Sequence, residues 1–281
     1  MERFKYRYTK LLFLIVIKLQ FIYLYVFYYL NKNTELLEII NKNRIYLKTI
    51  NKFLSEDSYA QNDYGVQRRI YNNLEKKIVK IPTYSDLLIF FIKKLFKNKV
   101  NYLEIGVSVL KNYLQINNGV SESNIVGFDI NDLNPNFINL NKIQKNNNNL
   151  IYFKGNVLNE EDAQKFNEIF KDKFDLVFSD ALHEPEAIRS EYELIIKNNL
   201  KNKFLVYYDD LDFVGIEDEL GKIRKDLENH LDKSINFYTL NIYGWIGQHE
   251  KLHKNGILTT FDLEEILKLN NIKLFNFKKI D

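Results

Sequence analysis

The chemistry-bearing residues of this chain cluster around "FDLVFSDALHEPEAIRSE", residues 174–191, where an apolar run ends on Asp180 and His183 follows three residues later. Two readings are open for that stretch. An acid ahead of Pro185 can cap the start of a helix, because its side chain accepts the unpaired amides of the first turn. Alternatively, Asp180 and His183 form a catalytic or metal-binding edge, since open α/β sheets place their chemistry at the carboxyl ends of their strands. A second acidic pair, Asp209 and Asp210, closes the apolar run "KFLVYYDD" and carries the same two readings.

Other motifs compete. "HEKLH" at 249–253 has the spacing of a zinc-protease helix, but Gly244, Gly247 and Asn255-Gly256 bracket it too closely for two histidines to share a helical face. Thr259 also stands where a longer version would need a third histidine. A loop over the active edge, contacting substrate through His249 or His253, is the functional alternative to a solvated loop. Asp210-x-Asp212 has the form with which glycosyltransferases hold a metal and sugar nucleotide, and His230 reads as a surface residue.

These side chains need a frame. Short apolar runs at 100–106, 124–130, 150–156, 174–180 and 203–210 alternate with helix-like stretches at 108–117, 134–145, 158–171, 185–199 and 216–232. That alternation predicts βαβ units and a parallel sheet covered on both faces. The five runs end on Glu104/Gly106, Asp129, Gly155/Asn156, Asp180 and Asp209/Asp210. In a parallel sheet all of these ends lie on one edge, which is where a ligand binds. The tail departs from the pattern: "INFYTLNIYGWIGQ" and "GILTTF" predict an antiparallel pair, followed by a helix at 262–270.

The 281 residues suffice for one large α/β domain with an appendage, and 46% hydrophobic with 27% charged residues is a globular composition. A net charge of +3 and the lack of an aromatic–basic motif give no nucleic-acid footprint. The chain has no cysteine, which excludes disulfides, thiolate ligands and a cysteine nucleophile. Residues 11–30, "LLFLIVIKLQFIYLYVFYYL", follow a start carrying Arg3, Lys5, Arg7 and Lys10. A type II membrane anchor and an amphipathic or packed helix of an N-terminal appendage both remain open, because Lys18 and Gln20 fall mid-run. The location is accordingly either membrane-associated or cytoplasmic. The predicted organisation is a hydrophobic helix over 1–30, a helical and loop appendage over 31–82, and the α/β domain over 83–281.

On these residues the domain resembles a class I S-adenosylmethionine-dependent methyltransferase. "YLEIGVS" resembles the first motif, "VGFDI" the second strand with its ribose-binding acid, and "GNV" the adenine-side turn. The resemblance implies a Rossmann-like fold, with Glu104, Gly106, Asp129 and Asn156 holding the cofactor. "SDALHEPEAIRSEYEL" is similar to the metal-assisted small-molecule O-methyltransferases of the macrolide-sugar and cephalosporin type. That likeness implies Mg²⁺ or another divalent cation on Asp180, Asp209 and Asp210, His183 as the base, and a small-molecule or sugar hydroxyl as acceptor. Three oxygen ligands suit Mg²⁺ better than Zn²⁺. Glu186 and Arg189 are expected to be structural. Ser108 and Leu110 replace the small residues usual in the glycine turn, and Leu110 is expected to narrow the pocket. Leu182 stands where relatives often carry another acid. The alternatives are a type II membrane glycosyltransferase using Asp210-x-Asp212 and a non-catalytic binding protein that keeps the fold. Acceptor and oligomeric state are not legible.

Overall fold

Alternation with period two sorts the apolar side chains of the strands onto two faces, and each face finds its own helices. In the first strand Tyr102 and Glu104 point one way and Leu103 and Ile105 the other, so that one short run feeds both cores. The computed structural model describes residues 2–31, 33–54, 81–108, 110–133, 137, 146–244 and 252–281. The loop and basic stretch at 55–80, most of the helix expected at 134–145, and His249 lie outside the described residues.

Eight strands form one sheet in the order β3-β2-β1-β4-β5-β7-β6-β8. They are β1 Asn101–Ile105, β2 Asn124–Asp129, β3 Asn149–Lys154, β4 Phe174–Ser179, β5 Leu200–Tyr208, β6 Asn236–Tyr243, β7 Leu252–Thr259 and β8 Lys278–Ile280. β1 to β5 are mutually parallel. β7 runs antiparallel between β5 and β6, and β8 pairs antiparallel with β6. The expected mostly parallel, Rossmann-like sheet with a terminal antiparallel pair is therefore present. β7 begins four residues before "GILTTF", which puts His253 in a strand and not in a loop. β8 was not foreseen.

The helices are α1 Glu2–Leu30, α2 Thr34–Leu54, α3 Tyr84–Phe96, α4 Lys111–Gly119, α5 Glu160–Ile169, α6 Pro185–Glu191, α7 Ile216–Leu231 and α8 Leu263–Leu269. α6 runs on into a π-helical turn over Tyr192–Ile196, so the helix predicted for 185–199 is shorter and changes its winding. α2, α3, α4 and α8 bury their apolar residues on one face of the sheet. α5, α6 and α7 do so on the other.

α2 is built into the domain. Leu36, Ile39, Ile40 and Leu47 join the first core, and Arg44 reaches the fully buried Asp86 of α3 at 2.6 Å. Asp86 also accepts from Asn43 at 2.8 Å, from the Thr83 amide at 2.8 Å and from the Thr83 hydroxyl at 3.0 Å. This carboxylate thus satisfies the amide of Thr83, the residue that caps α3, while fixing α2 across it. Among the described residues, no helix is long and apolar enough to cross a bilayer. The last third of α1 packs on the domain, with Leu24 and Tyr28 buried against Ile81 and Tyr243.

Candidate active site

Chain connections leave β1 toward β2 and β3 on one side and reach β4 and β5 on the other. The crevice between β1 and β4 is where a ligand enters an open α/β sheet. There Gly106 (φ +84°) donates its amide to Phe128 O at 2.9 Å, while Asp180 donates to Ile105 O at 2.9 Å. A Cβ on Gly106 would stand 2.2 Å from the Asp180 carbonyl oxygen, so the two backbones meet in a space only glycine leaves.

The rest of the turn keeps a glycine-like path without glycines. Ser108 and Leu110 have φ of 50° and 65°, the left-handed region that costs an ordinary residue roughly 1–2 kcal/mol. Two features hold it there. Asp129 accepts the Ser108 amide at 2.7 Å, and Leu110 is buried in the first core. The expected narrowing of the pocket by Leu110 is not seen, because the left-handed backbone turns that side chain into the core.

Around the crevice lies a cavity of about 230 Å³, lined in part by Gly106, Ser108, Asp129, Asn156, Asp180 and Leu182. Asp129 ends β2 and also accepts from the Asn131 amide at 2.8 Å. The Asn156 side chain accepts the Leu158 amide at 3.0 Å, which shapes the turn before α5. Glu104 is elsewhere. It does not line the cavity and lies buried on the α4 side, accepting from Tyr102 at 2.7 Å and Asn112 at 2.8 Å. Burial pushes its carboxyl up to about 8, so it is largely protonated at neutral pH.

Past Asp180 the edge becomes a carboxylate–imidazole group. His183 Nε2 lies 3.8 Å from Asp180 and 3.6 Å from Asp210, and its ring stacks on Phe213 at 5.3 Å. Burial lowers the His183 pKa against the opposing pull of Asp210, which leaves the ring neutral near pH 7. His253 reaches across from β7 to pair with Asp210, and its Nδ1 is 3.8 Å from Asp209. Asp209 is buried, accepts from Asn255 and from the Asp210 amide, and is raised to about 6 by burial and then by the Asp210 charge. Burial would raise Asp210 too, but His253 and His183 outweigh it and hold the carboxyl below its usual range. Asp210 itself has φ 54°, a conformation that aspartate tolerates better than most residues.

Among the described residues, Asp209, Asp210 and His253 are the group able to converge on one metal ion, their ligand atoms lying within 4.8 Å of one another. Asp180 stands outside that set and connects to it through His183. Asp212 does not converge on the group. It accepts the Lys254 amide at 2.8 Å and closes the β5–β7 corner. Arg189 pairs with Glu219 at 2.5 Å and also with Asp226, tying α6 to α7 as expected of a strut. The sequence offers His253 only as one of two loop candidates; its pairing partner in the register, Ile242, lies in the apolar run of β6, which is the signal that marks it as a strand residue.

No family model and no curated protein matches the chain. Among solved structures it is similar to MycE methyltransferase from the mycinamycin biosynthetic pathway, in complex with Mg and SAH, at 16% identity and a TM-score of 0.35. That match covers 48% of this chain and 32% of the other, so the chain spans about a third of that protein's length. An O-methyltransferase from Bacillus cereus in complex with SAH is similar at 15% identity and TM-score 0.42, over 75% of this chain and 96% of that one. Magnesium protoporphyrin IX methyltransferase from Synechocystis, with bound SAM, is similar at 12% identity and TM-score 0.46, over 75% and 95%.

Proposed function

We propose that the chain is an S-adenosylmethionine-dependent, metal-assisted O-methyltransferase acting on a hydroxyl of a small molecule or sugar. One observation carries the reading: Asp180 both lines the cavity at the β1–β4 crevice and adjoins the histidine–aspartate group, so a ligand pocket and an ionisable centre share a wall. The cavity fits the cofactor in kind. Gly106 leaves the backbone bare where a Cβ would collide, and Asp129 offers a strand-end carboxylate to hydroxyl groups. When bound, the cofactor supplies an electrophilic methyl on sulfur, open to direct displacement by an aligned oxygen.

The donor set also fits a divalent cation. Two carboxylates are hard oxygen ligands of the kind Mg²⁺ takes, and the His253 imidazole extends the fit to Mn²⁺. Such an ion would lower the pKa of an acceptor hydroxyl. His183, neutral and steadied by Phe213, then accepts the hydroxyl proton. Asp180 and Asp210 flank the resulting imidazolium and favour it. Gly106, Asp129 and Asn156 hold the donor side, and most of the acceleration comes from alignment of the two substrates.

Equilibrium dialysis of methyl-labelled S-adenosylmethionine against the full chain tests the reading. Saturable binding that weakens at least about tenfold in Asp129→Ala, equivalent to ~1.4 kcal/mol, is the expected result. No binding, or equal binding by the variant, would overturn it.

A further inference from the structure

We infer that Asn255 and Tyr207 are positioning residues for Asp209: together they orient its carboxylate toward the ion that Asp209, Asp210 and His253 can hold. Their role rests on the metal-assisted function proposed above and extends it to two side chains that are wholly buried.

Successive side chains of a strand alternate between its faces, so Tyr207 and Asp209 at the end of β5 share one face, and His253, Asn255 and Ile257 of β7 share one face in their turn. The antiparallel register sets Tyr207 opposite Ile257, and both lie in the first core, so these two faces are the same side of the sheet. β7 therefore sends two polar side chains to the end of β5. His253 reaches Asp210, and Asn255 reaches Asp209.

A fully buried asparagine inside a strand needs partners, because an amide taken out of water is costly unless its polar atoms are bonded. Asn255 finds them on β5: its side-chain NH₂ donates to Asp209 Oδ1, and the Tyr207 hydroxyl donates to its Oδ1 at 3.1 Å. The direction follows from the chemistry of the groups. An ionised carboxylate only accepts, so the NH₂ must face Asp209 and the amide oxygen is left for the tyrosine. Tyr207 is itself held, its ring packed against Phe178 at 5.7 Å in the first core. A fixed ring places the hydroxyl, the hydroxyl sets the amide, and the amide sets the carboxylate. Asp209 Oδ1 also accepts the Asp210 amide at 2.9 Å, so donors from two strands converge on one oxygen. Ligands held in place before an ion arrives bind it with less ordering cost, and loss of a group that hydrogen-bonds a metal-ligating carboxylate typically weakens metal binding by about 10–100-fold.

Mn²⁺ titration of the full chain, followed by electron paramagnetic resonance, tests the inference in Asn255→Ala, Tyr207→Phe and the double variant. Asn255→Ala should weaken Mn²⁺ binding by about tenfold or more. Tyr207→Phe removes one oxygen from a buried ring and should weaken it by about threefold or more, with unchanged circular dichroism and cooperative urea unfolding. Because the tyrosine acts through the amide, adding Tyr207→Phe to Asn255→Ala should weaken binding no further, a non-additivity that general loosening of the fold would not produce. Wild-type affinity in both single variants would overturn the inference and leave the metal site standing. Additive losses in the double variant would overturn the link from Tyr207 through Asn255. Absence of Mn²⁺ binding by the wild-type chain would overturn the metal-assisted function and the inference with it.

Discussion

Gly106→Ala attacks the point where two strand ends touch. The added Cβ would lie 2.2 Å from the Asp180 carbonyl oxygen, 2.5 Å from its carbon and 2.6 Å from the Ala181 amide nitrogen. All three are backbone atoms, so no side chain can swing aside, and the turn must open by about 1 Å to restore contact distance. The left-handed backbone at φ +84° adds roughly 1–2 kcal/mol for any residue with a Cβ. Opening the turn strains the bonds from Gly106 N to Phe128 O and from Asp180 N to Ile105 O, each worth about 0.5–1.5 kcal/mol. Together these effects put the loss near 2–5 kcal/mol, at the upper end of single substitutions. Urea denaturation of the full chain reads it as a lower midpoint at unchanged slope. Because the displaced atoms wall the cavity, binding of S-adenosylmethionine should fall in the same variant. A Gly106→Ala chain within about 1 kcal/mol of wild type, and binding the cofactor equally, would refute the claim that the crevice is set by backbone contact.

Three further outcomes follow from named groups. Burial pushes the Glu191 carboxyl up to about 8 from 4.5, so the native chain keeps a proton that the unfolded chain releases, and stability falls as pH rises across that window at ~1.4 kcal/mol per unit. Glu191→Gln should remove that share of the slope, bringing the unfolding free energies at pH 5.5 and pH 7.5 closer by about 2–3 kcal/mol than in wild type. Arg44→Leu strands the buried Asp86 charge and should cost about 3–5 kcal/mol in urea, with part of the loss recovered by adding Asp86→Asn. His253→Gln should weaken Mn²⁺ binding, followed by electron paramagnetic resonance, by about tenfold or more, and should abolish nitrogen hyperfine coupling to the ion.

The sheet was legible because its strands are short apolar runs bounded by polar ends, and the helices between them carry a face for each core. Strand ends such as Asp129, Asp180, Asp209 and Asp210 could be placed on one edge from topology alone. Glu104 shows where that logic thins. It is the expected residue type one position short of the strand end, yet its alternation with Tyr102 sends it to the α4 face, where burial keeps it protonated. His253 was obscured because the first residues of β7, "LHK", are partly exposed and mostly polar, and only pairing with β6 makes them a strand. β8 is three residues reading "KKI", too short and too charged to announce itself. The turn after β1 looks depleted by composition, but Ser108 and Leu110 adopt the glycine-like conformation because Asp129 and the first core over-determine it. No local pattern marks the change from α6 to a π-helical turn.

The central question is whether this crevice takes the cofactor. Calorimetric titration of S-adenosylmethionine into the full chain, with and without Mg²⁺, measures that without knowledge of the acceptor. Saturable binding at one site per chain is the predicted result. No heat of binding under either condition, from a chain that unfolds cooperatively and is therefore folded, would contradict it and leave a methyltransferase-like sheet serving another ligand.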